Sequence, residues 1–111
     1  MASDAEAHLP LTPLTLAVLL AVADGPLHGY AVLKALEAQA GPALVAGAGS
    51  LYAALDRLEE EALLASEIDG QDPRRRRRFS LTALGRRVAR AELSRLESVL
   101  HGGRQVLPET A

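Results

Sequence analysis

Apolar residues fall at helical spacing in four stretches of this chain, and near residue 80 they alternate as in a strand. The first stretch, Leu14 to Ala23, is apolar almost all round, which predicts a helix buried on several sides. Thr12 is a good N-cap, Pro13 suits the first helical position, and Gly25 and Pro26 stop the helix. The second helix runs from about His28 to Ala40. Tyr30, Leu33, Leu36 and Ala40 form its apolar face, and Lys34, Glu37 and Gln39 lie away from it. The third covers residues 49–64, with Leu51, Leu55, Leu58 and Ala62 in one stripe and Ser50, Ala53, Arg57 and Glu60 off it.

A hairpin follows. Residues 65–69 and 74–81 read as two strands, and Gly70, Asp72 and Pro73 supply the turn. Phe79 and Leu81 share one strand face, so Arg76 and Arg78 point outward; on the second helix Tyr30 is expected mainly to pack inward, with it or His28 able to reach a phosphate. Thr82 caps a fourth helix over 82–101, in which Ala89, Leu93, Leu96 and Leu100 form a short heptad-like seam flanked by Arg90, Glu92, Arg95 and Glu97. This pattern divides the chain into an N-terminal tail (1–11), a winged helix-turn-helix domain (12–81), a C-terminal helix (82–101) and a disordered tail (102–111). The expected fold is mainly α, a winged helix-turn-helix with a two-stranded β wing and a C-terminal dimerisation helix.

Charge sharpens this picture. The net charge is −2, yet residues 1–69 hold two basic residues against ten acids, while residues 70–111 hold ten arginines against four acids. Five of those arginines are consecutive, Arg74 to Arg78. Runs of charge are usually solvated surface. Here an otherwise acidic chain concentrates positive charge on the hairpin, where a winged helix meets DNA. With 111 residues and no cysteine, the chain suits one small domain without disulfides or thiolate metal sites. His8, His28 and His101 have no metal-ligand spacing, and no nucleophile triad, phosphate loop or paired-carboxylate signature appears. No cofactor, metal or catalytic role is expected. Nor is a membrane span or secretory leader, so the expected setting is the cytoplasm, with DNA.

Three segments carry a resemblance: Gly25-Pro26-Leu27-His28-Gly29-Tyr30, Gly49-Ser50-Leu51-Tyr52, and Leu81-Thr82 with Gly85. In this order and at this spacing the chain resembles the PadR family of bacterial transcriptional regulators, over roughly residues 12–100. The resemblance implies a homodimer in which the C-terminal helix packs on the partner's N-terminal region. It also implies repression at a palindromic operator, with the third helix in the major groove, and the short subclass of the family. The chain departs from the family pattern at Ala48 and Ala53, where proline is frequent, and at Arg78, where an aromatic is common. One branch stacks flat aromatic drugs on an interface tryptophan; this chain has no Trp, so that pocket is not carried over.

The DNA-contact candidates are therefore His28, Tyr30 and Lys34 on the second helix, Gly49, Ser50, Tyr52, Ala53 and Arg57 on the third, and Arg74, Arg75, Arg76 and Arg78 on the wing. Ser50 and Tyr52 offer hydroxyls, Arg57 can reach a guanine or the backbone, and a helix N-terminus favours phosphate. A plainer reading leaves Ser50 and His28 as caps and Tyr52 and Tyr30 as core. The dimer candidates are Leu14, Leu16, Val18, Leu20, Ala89, Leu93, Leu96 and Leu100, with room for a small-molecule effector at that interface. The alternative is a dimeric winged-helix interaction module whose basic hairpin binds an acidic partner.

Overall fold

Thr12 opens the first helix as its sequence predicts: its Oγ1 accepts the Thr15 N–H at 3.1 Å, and Pro13 takes the first helical position. In the computed structural model, which describes residues 4–40, 48–70 and 77–109, this α1 spans Pro13–Ala21. It is followed by β1 (Leu27–His28), α2 (Gly29–Ala40), α3 (Ala48–Glu60), β2 (Leu64–Ile68), β3 (Arg77–Leu81) and α4 (Ala83–Val106). The core forms where α1, α2 and α3 close over the sheet. Val18, Leu19, Val32, Leu36, Leu51, Leu55, Leu58 and Phe79 are all fully buried there. Their burial is the main stabilising term of the domain.

The sheet has three strands in the order β1-β3-β2, all antiparallel, rather than the two expected. The extra strand is short. Leu27 pairs with Phe79 and His28 with Arg78, so His28 belongs to β1 and α2 begins one residue later, at Gly29. On the other side Leu64 to Ile68 pair with Leu81 to Arg77. The turn expected at 70–73 lies mostly outside the described residues.

The third helix ends sooner than its apolar stripe implies. Ala62 takes a left-handed φ of 62°, its N–H bonds the Glu59 carbonyl, and the Leu63 N–H bonds the Leu58 carbonyl. This pair of hydrogen bonds is a Schellman cap with Ala62 in the position usually held by glycine. Ala62 is exposed and off the stripe, while Leu58 and Leu63 make the buried contact that accompanies such a cap.

The described segments near both ends, from residue 4 and up to residue 109, hold more regular structure than expected. Ala5 is buried, Glu6–His8 form a 3-10 turn, and Leu9 and Leu11 pack on the core, so residues 4–11 are part of the fold rather than a tail. The fourth helix continues through Gly102 and Gly103 to Val106. Each glycine costs a helix about 1 kcal/mol but removes no hydrogen bond, whereas Pro108 does end it. From Leu93 onward every described α4 residue is exposed, and the molecule is correspondingly long, 54 × 36 × 21 Å.

Candidate nucleic-acid interface

The exposed side of α3 is built by its own periodicity. Burying Leu51, Ala54, Leu55 and Leu58 leaves Gly49, Ser50, Tyr52, Ala53, Asp56, Arg57 and Glu60 outside. In the first two turns this surface is small and neutral, with two hydroxyls and no acid. Ser50 is inside the helix, not at its cap. Tyr52 is partly exposed, and its ring lies against the first residue of α2. A Cβ on Gly29 would stand 2.6 Å from Tyr52 Cε1 and 2.9 Å from its hydroxyl. Gly29 thus provides the notch in which Tyr52 rests, so the two helices of the helix-turn-helix meet at these residues.

Tyr30 does not pack in the core as expected. It is 63% exposed, because the helix starts at Gly29 and buries Val32 together with the expected Leu36, which leaves Tyr30 on the outside. Lys34, one turn on, holds its Nζ 5.3 Å from the Tyr30 ring and 3.5 Å from Glu37. Both belong to the solvent face of α2. His28 is half-buried on β1, its Nε2 3.4 Å from the Asp69 carboxylate without a hydrogen bond among the described residues. Its strand neighbour Arg78 is exposed, with Nη2 3.7 Å from Glu67 directly across the sheet. A surface pair of that length contributes roughly 0–1 kcal/mol, so exchanging Glu67 for phosphate is cheap.

Arg57 lies apart from this group. Its Nη2 donates to Thr15 Oγ1 at 3.1 Å and its Nε is 3.9 Å from Glu61, which turns it toward α1. Arg74, Arg75 and Arg76 lie outside the described residues. Among the dimer candidates, Val18 and Ala89 are in the chain's own core and cannot form a surface; Leu14 and Leu16 are half-buried against it. Leu20, Leu93, Leu96 and Leu100 are exposed.

Two residues with clear structural roles received none from sequence. Arg77 places Nη1 2.8 Å from Asp56 Oδ1 and Nη2 2.5 Å from Glu59 Oε1, with its guanidinium 4.8 Å from the Phe79 ring. Asp56 first, then Glu59, holds this guanidinium above its ordinary pKa, against the opposing effect of burial. Alternation on β3 already puts Arg77 on the Phe79 face, and that was the available signal. Glu92, expected on the surface, is 1% exposed. It shares the inner stripe of α4 with Gly85, Val88 and Ala89, so its carboxylate needs partners. It accepts the Leu11 N–H at 2.9 Å and an Arg95 Nη2 hydrogen bond at 3.0 Å. Arg95 foremost, helped by Leu11, holds this carboxyl below its ordinary pKa although burial opposes it. Among the described residues no cluster of His, Cys, Asp or Glu suits a metal, and no helix is long and apolar enough to cross a membrane.

A helix pair presenting a bare helix face, flanked by a small antiparallel sheet with arginine on its central strand, defines a winged helix-turn-helix protein. Residues 18–91 match the transcriptional regulator PadR-like family, and the chain belongs to that family, whose members are DNA-binding regulators rather than enzymes. A PadR family transcriptional regulator from Eggerthella lenta is 31% identical, with a TM-score of 0.73 over 87% of this chain and 83% of that one. A PadR family transcription regulator from Clostridium difficile, 19% identical, shares the fold with a TM-score of 0.74 over 86% of this chain and 99% of that one. In sequence, 75 residues are 47% identical to an uncharacterized 37.1 kDa protein of transposon TN4556 from Streptomyces fradiae; they cover 68% of this chain and 20% of that protein. The chain thus spans about a fifth of the length of that relative.

Proposed function

We propose that this DNA-binding regulator acts as a homodimeric repressor at a palindromic operator. The observation that carries the reading is the acid-free, exposed start of α3, where Gly49, Ser50, Tyr52 and Ala53 stand clear of the core. In the bound state this end of α3 enters the major groove, with Ser50 and Tyr52 donating to phosphate or a base edge. His28, Tyr30 and Lys34 meet the adjacent backbone. Arg78, with Arg74, Arg75 and Arg76 before it in sequence, meets flanking phosphates or a narrow minor groove. Arg57 has its partners inside the chain and moves out of the contact set unless it leaves Thr15. Dimerisation uses the exposed leucines of α4, which brings two α3 helices to grooves about 34 Å apart. An effector site at that interface, bounded by Leu11, Leu16, Leu20 and Leu96, is compatible with the reading.

The test is fluorescence anisotropy on DNA from upstream of the protein's own gene, with a scrambled duplex as control, at several salt concentrations. Binding at least about a hundredfold tighter than the scramble is the expected result. Equal, weak binding to both, followed by no enrichment in a random-sequence selection, would favour an acidic protein partner for the basic hairpin instead.

A further inference from the structure

The recognition helix has an acidic side. Asp56 shares the exposed face of α3 with Tyr52 and Ala53, one turn further on, and Glu59 follows beside the wing. A carboxylate so close to a phosphate backbone weakens binding to every sequence. Both of these carboxylates are answered by one cation, Arg77. The guanidinium is divided between them, one nitrogen to each, and rests on the Phe79 ring. The second oxygen of Glu59 is taken by the Ser66 hydroxyl at 2.5 Å, so this site joins α3, β2 and β3. A planar fork can serve two carboxylates at once, which an ammonium does poorly. For Arg77 to bind phosphate it would have to leave both acids unpaired, whereas Arg78 has only a long surface pair to give up.

We propose that Arg77 is a positioning residue that acts on DNA binding through Asp56 and Glu59: it cancels their charge beside the recognition helix and does not itself contact DNA. Within a run of five arginines, one thus serves the protein's own acids. The proposal rests on the reading of α3 and the wing as the DNA-binding surface.

The experiment compares the wild type with R77Q, R77K, R78Q, and the triple variant D56N/E59Q/R77Q, on the upstream duplex and on the scramble, across a salt series. Circular dichroism melting checks that each is folded, and the triple variant has no unpaired acid to disturb the fold. R77Q is expected to weaken binding to both duplexes about five- to tenfold, as two unanswered carboxylates near the phosphates would. R77K should fall between it and the wild type. The triple variant should return to within about threefold of the wild type, with an unchanged salt slope, while R78Q loses about 0.9 of slope, as one phosphate contact would. A triple variant as weak as R77Q overturns the proposal. If its slope is also reduced by about 0.9, Arg77 is a phosphate contact; if the slope is unchanged, Arg77 is only a clamp. R77Q binding as tightly as the wild type overturns it too. A wild type that binds neither duplex overturns the DNA reading itself, a pattern distinct from failed rescue.

Discussion

Two glycines show how the same substitution reads differently according to what it meets. At Gly85 a Cβ would stand 2.1 Å from the Leu63 carbonyl oxygen, a backbone atom held by the Thr82 N–H at 3.2 Å. The Thr82 hydroxyl reaches the same turn, at 2.7 Å from the Ala62 carbonyl, and accepts the Gly85 N–H at 2.9 Å. Neither side can yield without breaking the start of α4 or the cap of α3. Gly85→Ala is therefore expected to destabilise the protein by more than about 2 kcal/mol, read as a shift in urea midpoint. At Gly29 the Cβ meets only the far end of Tyr52. That ring can swing into solvent, so Gly29→Ala should cost less than about 1 kcal/mol in stability yet weaken operator binding, because Tyr52 leaves its notch. A Gly29→Ala protein that melts early, or binds as the wild type does, would remove Tyr52's seating from the mechanism.

At the level of elements, one buried carboxylate fastens the N-terminal segment to α4. Glu92 takes the Leu11 N–H on one side and Arg95 on the other, and its folded pKa lies below the ordinary 4.5. A depressed carboxyl pKa stabilises the folded state fully above the unfolded value, and that contribution is lost as pH falls through the folded value. Unfolding free energy should therefore drop below about pH 4.5, and the drop should be shallower in Glu92→Gln. At neutral pH Glu92→Ala should cost about 1–3 kcal/mol by leaving the Leu11 amide unsatisfied. Urea unfolding at neutral pH and at about pH 4 measures both. The sequence displayed the order helix, helix, helix, hairpin, helix because apolar spacing and the caps at Thr12 and Thr82 are local signals. It concealed β1, since two residues carry too little alternation to register and their partner, Phe79, is about fifty residues away. The roles of Arg77 and Glu92 were hidden for the same reason: which acid or amide faces them is decided by tertiary packing. Ala62 concealed the end of α3 by being a good helix former in a left-handed position.

On the scale of the whole molecule, α4 is the anomaly. Beyond Glu92 every described residue of α4 is exposed, though an isolated helix of that length is marginal in water. Its apolar residues are nonetheless ordered along one side: Leu93, Leu96 and Leu100 recur at spacings of three and four, with Val99 beside them. Leu20 of α1 is exposed near Leu96, across an open groove of about 440 Å³ that also borders Leu11 and Leu16. A second copy laying its α4 along this surface would cover the seam and the groove together, and would set the spacing of the two α3 helices. Leu96→Glu, alone or with Leu93→Glu, puts charge at the centre of that seam while leaving the core of each chain intact. If the wild type is the dimer proposed, the expected product is a folded monomer by sedimentation equilibrium at concentrations where the wild type sediments as two chains. Its operator affinity should fall toward the non-specific level, because one α3 reads only half of a palindrome. A monomeric variant that still binds the full operator as tightly as the wild type would mean that a single winged helix suffices. A variant that stays dimeric would place the interface elsewhere than on α4.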